Sequence, residues 1–587
     1  MTRVDLSIEI CGMSGDGTIA AGGLLNVAMS KAGYSVLAFD SYPAEIRGFG
    51  RCVTLSRIGD EEMLALSNKT DVLISLDDVQ SRARVLSLAR EAVVLFDNRP
   101  PAYVPEDHSI AAHVEPHVHL YGIPFGDLAA EASGTTRGRN LTALGSFAAL
   151  FGLPSDPFHQ AIEEKFSTKG NTVLETNLRS FDAGYRYAFE NFEGKKRKLP
   201  TPPVIPGTQE KELLSGNMAI AEGALDAGVK LYFGYPITPA TPIMEYLAEA
   251  LPQRGGRVVQ MEDEISSIGA VLGSFYAGKR AITATSGPGF ALMTELITHG
   301  VMAEIPAVII DAQRAGPATG MPTKTEQSDL HAAVFGGPGD SARIVIAPTN
   351  VTECYHFTVK SFQLAEKYQT PVIVLSDFFL HNRVENVPRP RATAEEIEDR
   401  NIYPDPSVRG NYRRFEVTAS GISPRSIPGM KDLLFTTTGL EHTENGLPNY
   451  DPENHMKMSQ KRYQKILHAL EELPKPRSFF EENHLEVGVV SWGSTFGAAL
   501  EAVSRAREKG LRVGALKILS IFPYHEAEIR SFMERCDRLL IPELNLEGQL
   551  ANLVGHLFHR DLVKLNRVTG VPIPASVILE QIEAMTG

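Results

Sequence analysis

Leu231-Tyr232-Phe233-Gly234-Tyr235-Pro236-Ile237-Thr238-Pro239-Ala240-Thr241-Pro242 sets a short apolar run against a proline-rich connection, and the pattern IMEYLAEAL follows. The run is strand-like, the prolines fix φ and stiffen the link, and the next apolar residues recur at helical spacing. The stretch reads as one strand, loop and helix. The same unit repeats around it: VKLYFG, RVVQM, AITAT, PAVIIDA, RIVIAP and TPVIVLS are candidate strands between residues 210 and 389, each followed by a helical pattern or a Gly/Pro loop. Strands alternating with helices make an α/β fold.

Working outward, the rhythm divides the chain. Residues 1–193 form a first α/β domain, in which LSIEI, YSVLAF, DVLISL and AVVLF alternate with helical stretches such as Ile19 to Ala32, the pattern of parallel units. Residues 194–209 are a linker, marked by Lys195, Lys196, Arg197 and Lys198 ahead of Pro200, Pro202, Pro203 and Pro206. Residues 210–389 form a second α/β domain. A polar, Pro-rich connecting arm spans 390–480 and includes one amphipathic helix, Lys457 to Leu473. Residues 481–587 form a third α/β domain through VGVVSWGS, LRVGALKIL and RLLIPELN, closing in a C-terminal helix.

Composition narrows the class. Hydrophobic residues are 43% of the 587, enough for real cores, and the net charge is −14. The linker carries the single basic run, so a surface that tracks nucleic acid phosphates is not expected. No segment approaches the roughly 18 uninterrupted apolar residues of a membrane span, and MTRVDLSIEICGMSGDG enters a strand pattern with no apolar signal core, so the expectation is a soluble, cytoplasmic protein. Cys11, Cys52, Cys354 and Cys536 lie far apart with no Cys-x-x-Cys, and read as small buried hydrophobes. No metal site is expected in this chain. His442 and His455 sit in a polar loop whose spacing is too loose for a ligand set.

In open α/β sheets ligands gather at the carboxyl ends of strands, and five loops there stand out. Gly12-Met13-Ser14-Gly15-Asp16-Gly17 imitates a dinucleotide turn, yet its glycine spacing is wrong and Asp16 places a carboxylate where phosphate needs backbone donors. A tight turn serves equally well. Tyr235 to Pro239 holds Thr238 at low entropic cost, while Thr241-Pro242 fills the helix cap and first turn. Met261-Glu262-Asp263-Glu264 opens a helix, where Glu262 and Asp263 complement the dipole. Glu264 precedes ISSIGAVLG, which has almost no polar face, so its carboxylate is expected to be buried and to need a partner. Thr285-Ser286-Gly287-Pro288-Gly289 lets backbone approach a ligand or simply turns. Arg314, in the loop Gln313 to Lys324, is a natural clamp for a carboxylate, although a surface ion pair is the ordinary fate of an arginine.

Taken together, Tyr-Pro-Ile-Thr-Pro at 235–239, Met-Glu-Asp-Glu at 261–264, Thr-Ser-Gly-Pro-Gly-Phe at 285–290 and Pro-Thr-Lys-Thr-Glu-Gln at 322–327 resemble the α subunit of 2-oxoacid:ferredoxin oxidoreductases. The likeness continues in Tyr412 to Phe415, Ile427 to Gly429, Gly439 to His442 and Pro542 to Asn545. The first domain is similar to the γ domain of the same enzymes: Ser41 to Gly48 fits well, whereas Ser14 and Asp16 depart from the family's Gly-rich loop. The resemblance implies a pyrimidine-binding domain at 210–389 and a transketolase C-terminal-like domain at 481–587. It further implies coenzyme A-dependent oxidative decarboxylation of a 2-oxoacid on thiamine diphosphate, with electrons passing through a [4Fe-4S] cluster to ferredoxin. Glu264 matches the glutamate that bonds N1′ of the aminopyrimidine and so helps activate C2. Tyr235, Pro236, Ile237 and Thr238 match residues over the cofactor, Arg314 and Thr323 match residues that hold the substrate near C2, and a distal cation for a second carboxylate is expected either from Lys324 or from the β subunit.

Gly15-Asp16-Gly17 is followed by no Asn between Phe39 and Glu45, so the chain lacks a diphosphate–magnesium motif, and it lacks cluster cysteines. Mg2+ and the [4Fe-4S] cluster are therefore expected on a β subunit, with thiamine diphosphate shared in an αβ or (αβ)2 assembly. A fused γ–α chain with this arm looks most like the 2-oxoglutarate branch. Pyruvate or a branched 2-oxoacid, a thiamine-dependent dehydrogenase or transketolase subunit without ferredoxin, and a silent scaffold subunit remain as alternatives.

Overall fold

The computed structural model describes residues 4–42, 50–99, 109–195, 197–200, 211–408 and 410–586. It divides into two compact units, one of Met1–Leu214 with Arg383–Arg389 and one of Ser215–Asn382 with Pro390–Gly587. Most of the segment Ser41 to Gly48, and most of the linker, lie outside the described residues.

In the first unit an eight-stranded sheet runs in the order His119–Ile123, Leu88–Asp97, Thr70–Ser75, Asp5–Met13, Arg51–Gly59, Ser35–Ser41, Val384–Pro388 and Lys211–Ser215. The four expected strands form, and the helix expected at Ile19 to Ala32 spans Thr18–Lys31. The sheet is not wholly parallel. Arg51–Gly59 lies antiparallel to both Asp5–Met13 and Ser35–Ser41, so the rhythm of parallel units holds for one half alone. RCVTLSRIG sets polar residues among apolar ones over nine positions, a half-buried strand pattern that an antiparallel neighbour satisfies.

The far edge of this sheet takes its strands from the two ends of the 210–389 stretch. Val384–Pro388 pairs antiparallel with Ser35–Ser41, and Asn386 fastens it by accepting from Val36 N (2.8 Å) and donating to Tyr34 O (2.7 Å). A bond across 350 positions has no local signature. At the turn after Asp5–Met13, Asp16 accepts from Met13 N (2.8 Å) and pairs with Arg139 (2.5 Å), so its carboxylate is already committed.

The second unit contains two sheets. The seven-stranded sheet runs Ser520–Phe522, Ile344–Ile346, Pro371–Asp377, Ala307–Gln313, Ala281–Thr285, Leu231–Gly234 and Arg257–Gln260. Every strand expected there appears, and the five neighbouring pairings from Ile344–Ile346 to Arg257–Gln260 are parallel. Its central strands, Ala307–Gln313 and Pro371–Asp377, are buried throughout, as parallel strands covered on both faces must be. The five-stranded sheet runs Arg477–Phe479, Val513–Lys517, Leu485–Ser491, Cys536–Glu543 and Asp561–Asn566. Ser520–Phe522, from the third domain, joins the larger sheet antiparallel to Ile344–Ile346.

The arm's helix runs Pro452–His468 rather than Lys457 to Leu473. Asp451 caps it by accepting from Glu453 N and Asn454 N, with Pro452 in the first turn. All four cysteines are buried and none is in a disulfide.

Candidate active site

Four loops at the carboxyl ends of the larger sheet's strands converge on one group of side chains. Leu231–Gly234 delivers Tyr235 to Pro239, with Tyr235 exposed and Thr238 half-buried. Thr241 does not cap the next helix: it is its first residue, Ala240 holds the cap position without a side-chain bond, and the Thr241 hydroxyl donates back to Ile237 O (3.1 Å).

Arg257–Gln260 delivers the helix Glu264–Tyr276. Asp263 is its cap, accepting from Ser266 N (2.7 Å) in a capping box, which accounts for that acid. Glu264 is next in chain and different in kind. It is 7% exposed, and among the described residues no hydrogen-bond donor reaches its carboxylate. Ala281–Thr285 delivers the helix Gly287–Met302, whose first turn lies against that acid. A Cβ on Gly289 would stand 2.4 Å from Glu264 Oε1, and one on Gly287 would stand 2.7 Å from Asp329 Oδ2. Two glycines thus admit two carboxylates to one helix start, where the dipole favours negative charge.

Ala307–Gln313 delivers Arg314, which is buried at 7% exposure and donates through Nη1 to Thr238 O (2.9 Å). Its Nε is sealed from solvent without a partner. Burial lowers the guanidinium's pKa, against the attraction of Asp329 and Glu264. The loop beyond folds back on itself: Ala315 N donates to Lys324 O (2.9 Å) and Met321 N to Ala315 O (2.9 Å), which returns half-buried Thr323 and Lys324 to within one residue of Arg314. Gly320 makes the return possible, with φ 47° and room for no Cβ beside Ala315 O.

The structure therefore brings Thr238, Glu264, Arg314, Thr323 and Lys324 into one neighbourhood, with Tyr235, Pro236 and Ile237 at its rim. Sequence reasoning missed three further groups. Asp311, wholly buried, has no partner at either oxygen, and burial followed by repulsion from Asp329 raises its pKa well above the usual range. Asp329 is half-buried with Oδ2 sealed and unpartnered; burial and Glu326, opposed by Arg314, push it up to about 7. Gln327 is the third. Its amide accepts from Thr495 Oγ1 (2.7 Å) and donates to Trp492 O (3.3 Å), its N–H donates to Leu544 O (2.8 Å), and its carbonyl accepts from Asn545 Nδ2 (2.9 Å). The loops after Leu485–Ser491 and Cys536–Glu543 thereby grip the segment that carries Thr323 to Asp329. An acid inside an apolar strand, PAVIIDA, was the visible signal for Asp311.

Comparison with known proteins places the chain in a family. A family model described as pyruvate flavodoxin/ferredoxin oxidoreductase, thiamine diphosphate-binding, matches residues 222–461. Models of pyruvate ferredoxin/flavodoxin oxidoreductase and of pyruvate:ferredoxin oxidoreductase core domain II match 7–187 and 486–571. The 2-oxoacid:ferredoxin oxidoreductase 2 subunit alpha of Aeropyrum pernix is 30% identical over 97% of this chain and 96% of its own. The chain belongs to the 2-oxoacid:ferredoxin oxidoreductase family. A solved 2-oxoglutarate:ferredoxin oxidoreductase from Magnetococcus marinus, with 2-oxoglutarate, coenzyme A and succinyl-CoA bound, matches this oxidoreductase over 100% of both chains at 34% identity and a TM-score of 0.93. The 2-oxoglutarate synthase subunit KorA of Methanothermobacter marburgensis is 37% identical over 62% of this chain and 99% of its own.

Membership bears out the expected α/β multidomain fold and the thiamine diphosphate-binding domain. The residues fit that cofactor: the Glu264 carboxylate, 7% exposed and without a donor among the described residues, lies beside a glycine that leaves space, on a loop cluster at the strands' carboxyl ends. No helix among the described residues is long and apolar enough to cross a membrane.

Proposed function

We propose that this chain is the α subunit of an oxidoreductase that converts 2-oxoglutarate, coenzyme A and oxidised ferredoxin into succinyl-CoA, CO2 and reduced ferredoxin in the cytoplasm. A β subunit supplies the diphosphate-binding half of the site with its Mg2+, and the [4Fe-4S] cluster. The two meet as αβ or (αβ)2. The observation that carries the reading is Glu264, whose side chain is 7% exposed and whose carboxylate meets no donor among the described residues. A carboxylate so placed awaits a donor from outside.

Thiamine diphosphate, when bound, supplies a carbon acid whose conjugate base adds to a 2-oxoacid and takes up the electrons released with CO2. Glu264 would accept a hydrogen bond from the aminopyrimidine at N1′ and hold it in register. Tyr235 to Thr238 would cover the ring, with Thr238 fixed in turn by Arg314 through its carbonyl. Arg314 would pair with the 2-oxoacid's α-carboxylate, and Thr323 and Lys324, brought back beside it, would orient the rest of the substrate. The Magnetococcus marinus enzyme and the KorA relatives support 2-oxoglutarate as that substrate.

The complex assembled with its β partner should reduce viologen or ferredoxin on addition of 2-oxoglutarate and coenzyme A. Comparison of kcat/KM for 2-oxoglutarate, pyruvate and a branched 2-oxoacid tests the substrate; preference for pyruvate would replace it. Loss of all three activities in a correctly assembled complex would leave a scaffold role.

A further inference from the structure

Gln313 and Arg314 are consecutive, and Gln313 Oε1 accepts the backbone N–H of Asp329 at 2.9 Å. The residue before the arginine therefore pins Asp329 in place beside it. The Asp329 carboxylate faces the backbone of Gly287 on one side, and Arg314, Asp311 and Glu326 lie within electrostatic reach. Glu264 adds its charge to the same arginine. No ion pair closes between Asp329 and Arg314 among the described residues, and Arg314 Nε and Asp329 Oδ2 are both sealed without partners. This acid is held next to the clamp and kept from satisfying it.

We propose that Asp329 is a positioning residue whose charge sets how strongly Arg314 can hold the carboxylate of the 2-oxoacid. The inference rests on Arg314 as that clamp. Two buried carboxylates within electrostatic reach of each other, of which Arg314 attends only Asp329, resist ionising together. Asp311 has no donor at either oxygen, and burial followed by repulsion from Asp329 raises its pKa well above the usual range. Asp329 ionises near neutrality, pushed up to about 7. When it is protonated, Arg314 carries an uncompensated charge toward the substrate. When it is ionised, it offsets that charge and repels the incoming carboxylate.

The test is the pH dependence of KM in the assembled complex, with coenzyme A saturating and 2-oxoglutarate fully ionised throughout. Between pH 6 and pH 8 the wild-type KM should rise roughly tenfold, as expected for one proton titrating near 7. Asp329→Asn should hold KM near the wild-type pH 6 value across the range, and Asp329→Glu should restore the slope. A flat wild-type profile, or a slope that survives in Asp329→Asn, would overturn the proposal. If Arg314→Gln leaves KM normal, the clamp reading itself fails; a raised KM in Arg314→Gln beside a flat wild-type profile removes the Asp329 role alone. Thermal melting gives a readout apart from turnover. Since the folded pKa lies above the unfolded one, the folded chain holds a proton that the unfolded chain releases, and Asp329's contribution is lost as pH rises through about 7. The wild-type Tm should fall relative to Asp329→Asn between pH 5 and pH 7 and then run parallel; constant separation counts against it.

Discussion

Two buried glutamates in the second unit have opposite surroundings. Glu304, wholly buried, is gripped by Lys461 (2.5 Å) and Lys465 (2.6 Å), with Arg414 close by. Burial alone would raise its pKa, and the three cations overcome that and hold it far below the ordinary range. Glu264 is almost as buried and has no donor among the described residues. The first acid ties the connecting arm's helix to the end of Gly287–Met302; the second stands open at the start of that same helix. A buried charge that its own chain satisfies is architecture, and one left unsatisfied marks where a ligand must complete the electrostatics.

The sharpest way to break this contrast is Glu264→Gln. Turnover of the assembled complex should fall by a factor on the order of 10³, the usual range for a positioned acid–base group, while assembly by size-exclusion chromatography is unchanged. Near-normal turnover would dissolve the distinction. Glu304→Gln should do the reverse: it strands two buried lysines and lowers stability by about 3 kcal/mol, read by denaturant unfolding. In the wild type that contribution is present above the unfolded glutamate's pKa and is lost as pH falls below it, because the folded pKa is depressed.

Gly289→Ala places a Cβ against Glu264 Oε1 and should lower turnover by about 10², since the acid must move. Gln327→Leu releases the segment Thr323 to Asp329 from the loops after Leu485–Ser491 and Cys536–Glu543 and should raise the 2-oxoacid KM about tenfold, in line with about 1–3 kcal/mol for buried groups left unpaired. Smallest of all, Asp311→Asn should change Tm by no more than about 2 °C, because no bond of the native chain is lost.

Much of this was legible in the chain. The strand runs of the second unit located the sheet's carboxyl ends, and the apolar surroundings of ISSIGAVLG pointed to a buried Glu264. The arm's helix start was missed although Asp451-Pro452 is a cap signal, because amphipathic periodicity shows a helix's middle better than its end. Arg51–Gly59 was missed because its polar and apolar residues make a weaker run than LSIEI or DVLISL, and its antiparallel pairing is made across the sheet. Asp329 and Gln327 were not singled out: a polar residue in a polar stretch carries no mark of what it meets across the fold.

Local pattern, then, determined the class of each segment, since strand, turn and helix follow from spacings of two to four residues and from proline and glycine. The sequence also settled that an acid at 264 would leave water, because its neighbours are apolar. Only the tertiary structure decided which buried acids find cations. Glu304 meets lysines 157 and 161 positions away, whereas Glu264 meets a glycine and Asp311 meets Asp329. Ionisation depends on the field at the carboxylate, and that field is summed over groups the chain brings together only when it folds.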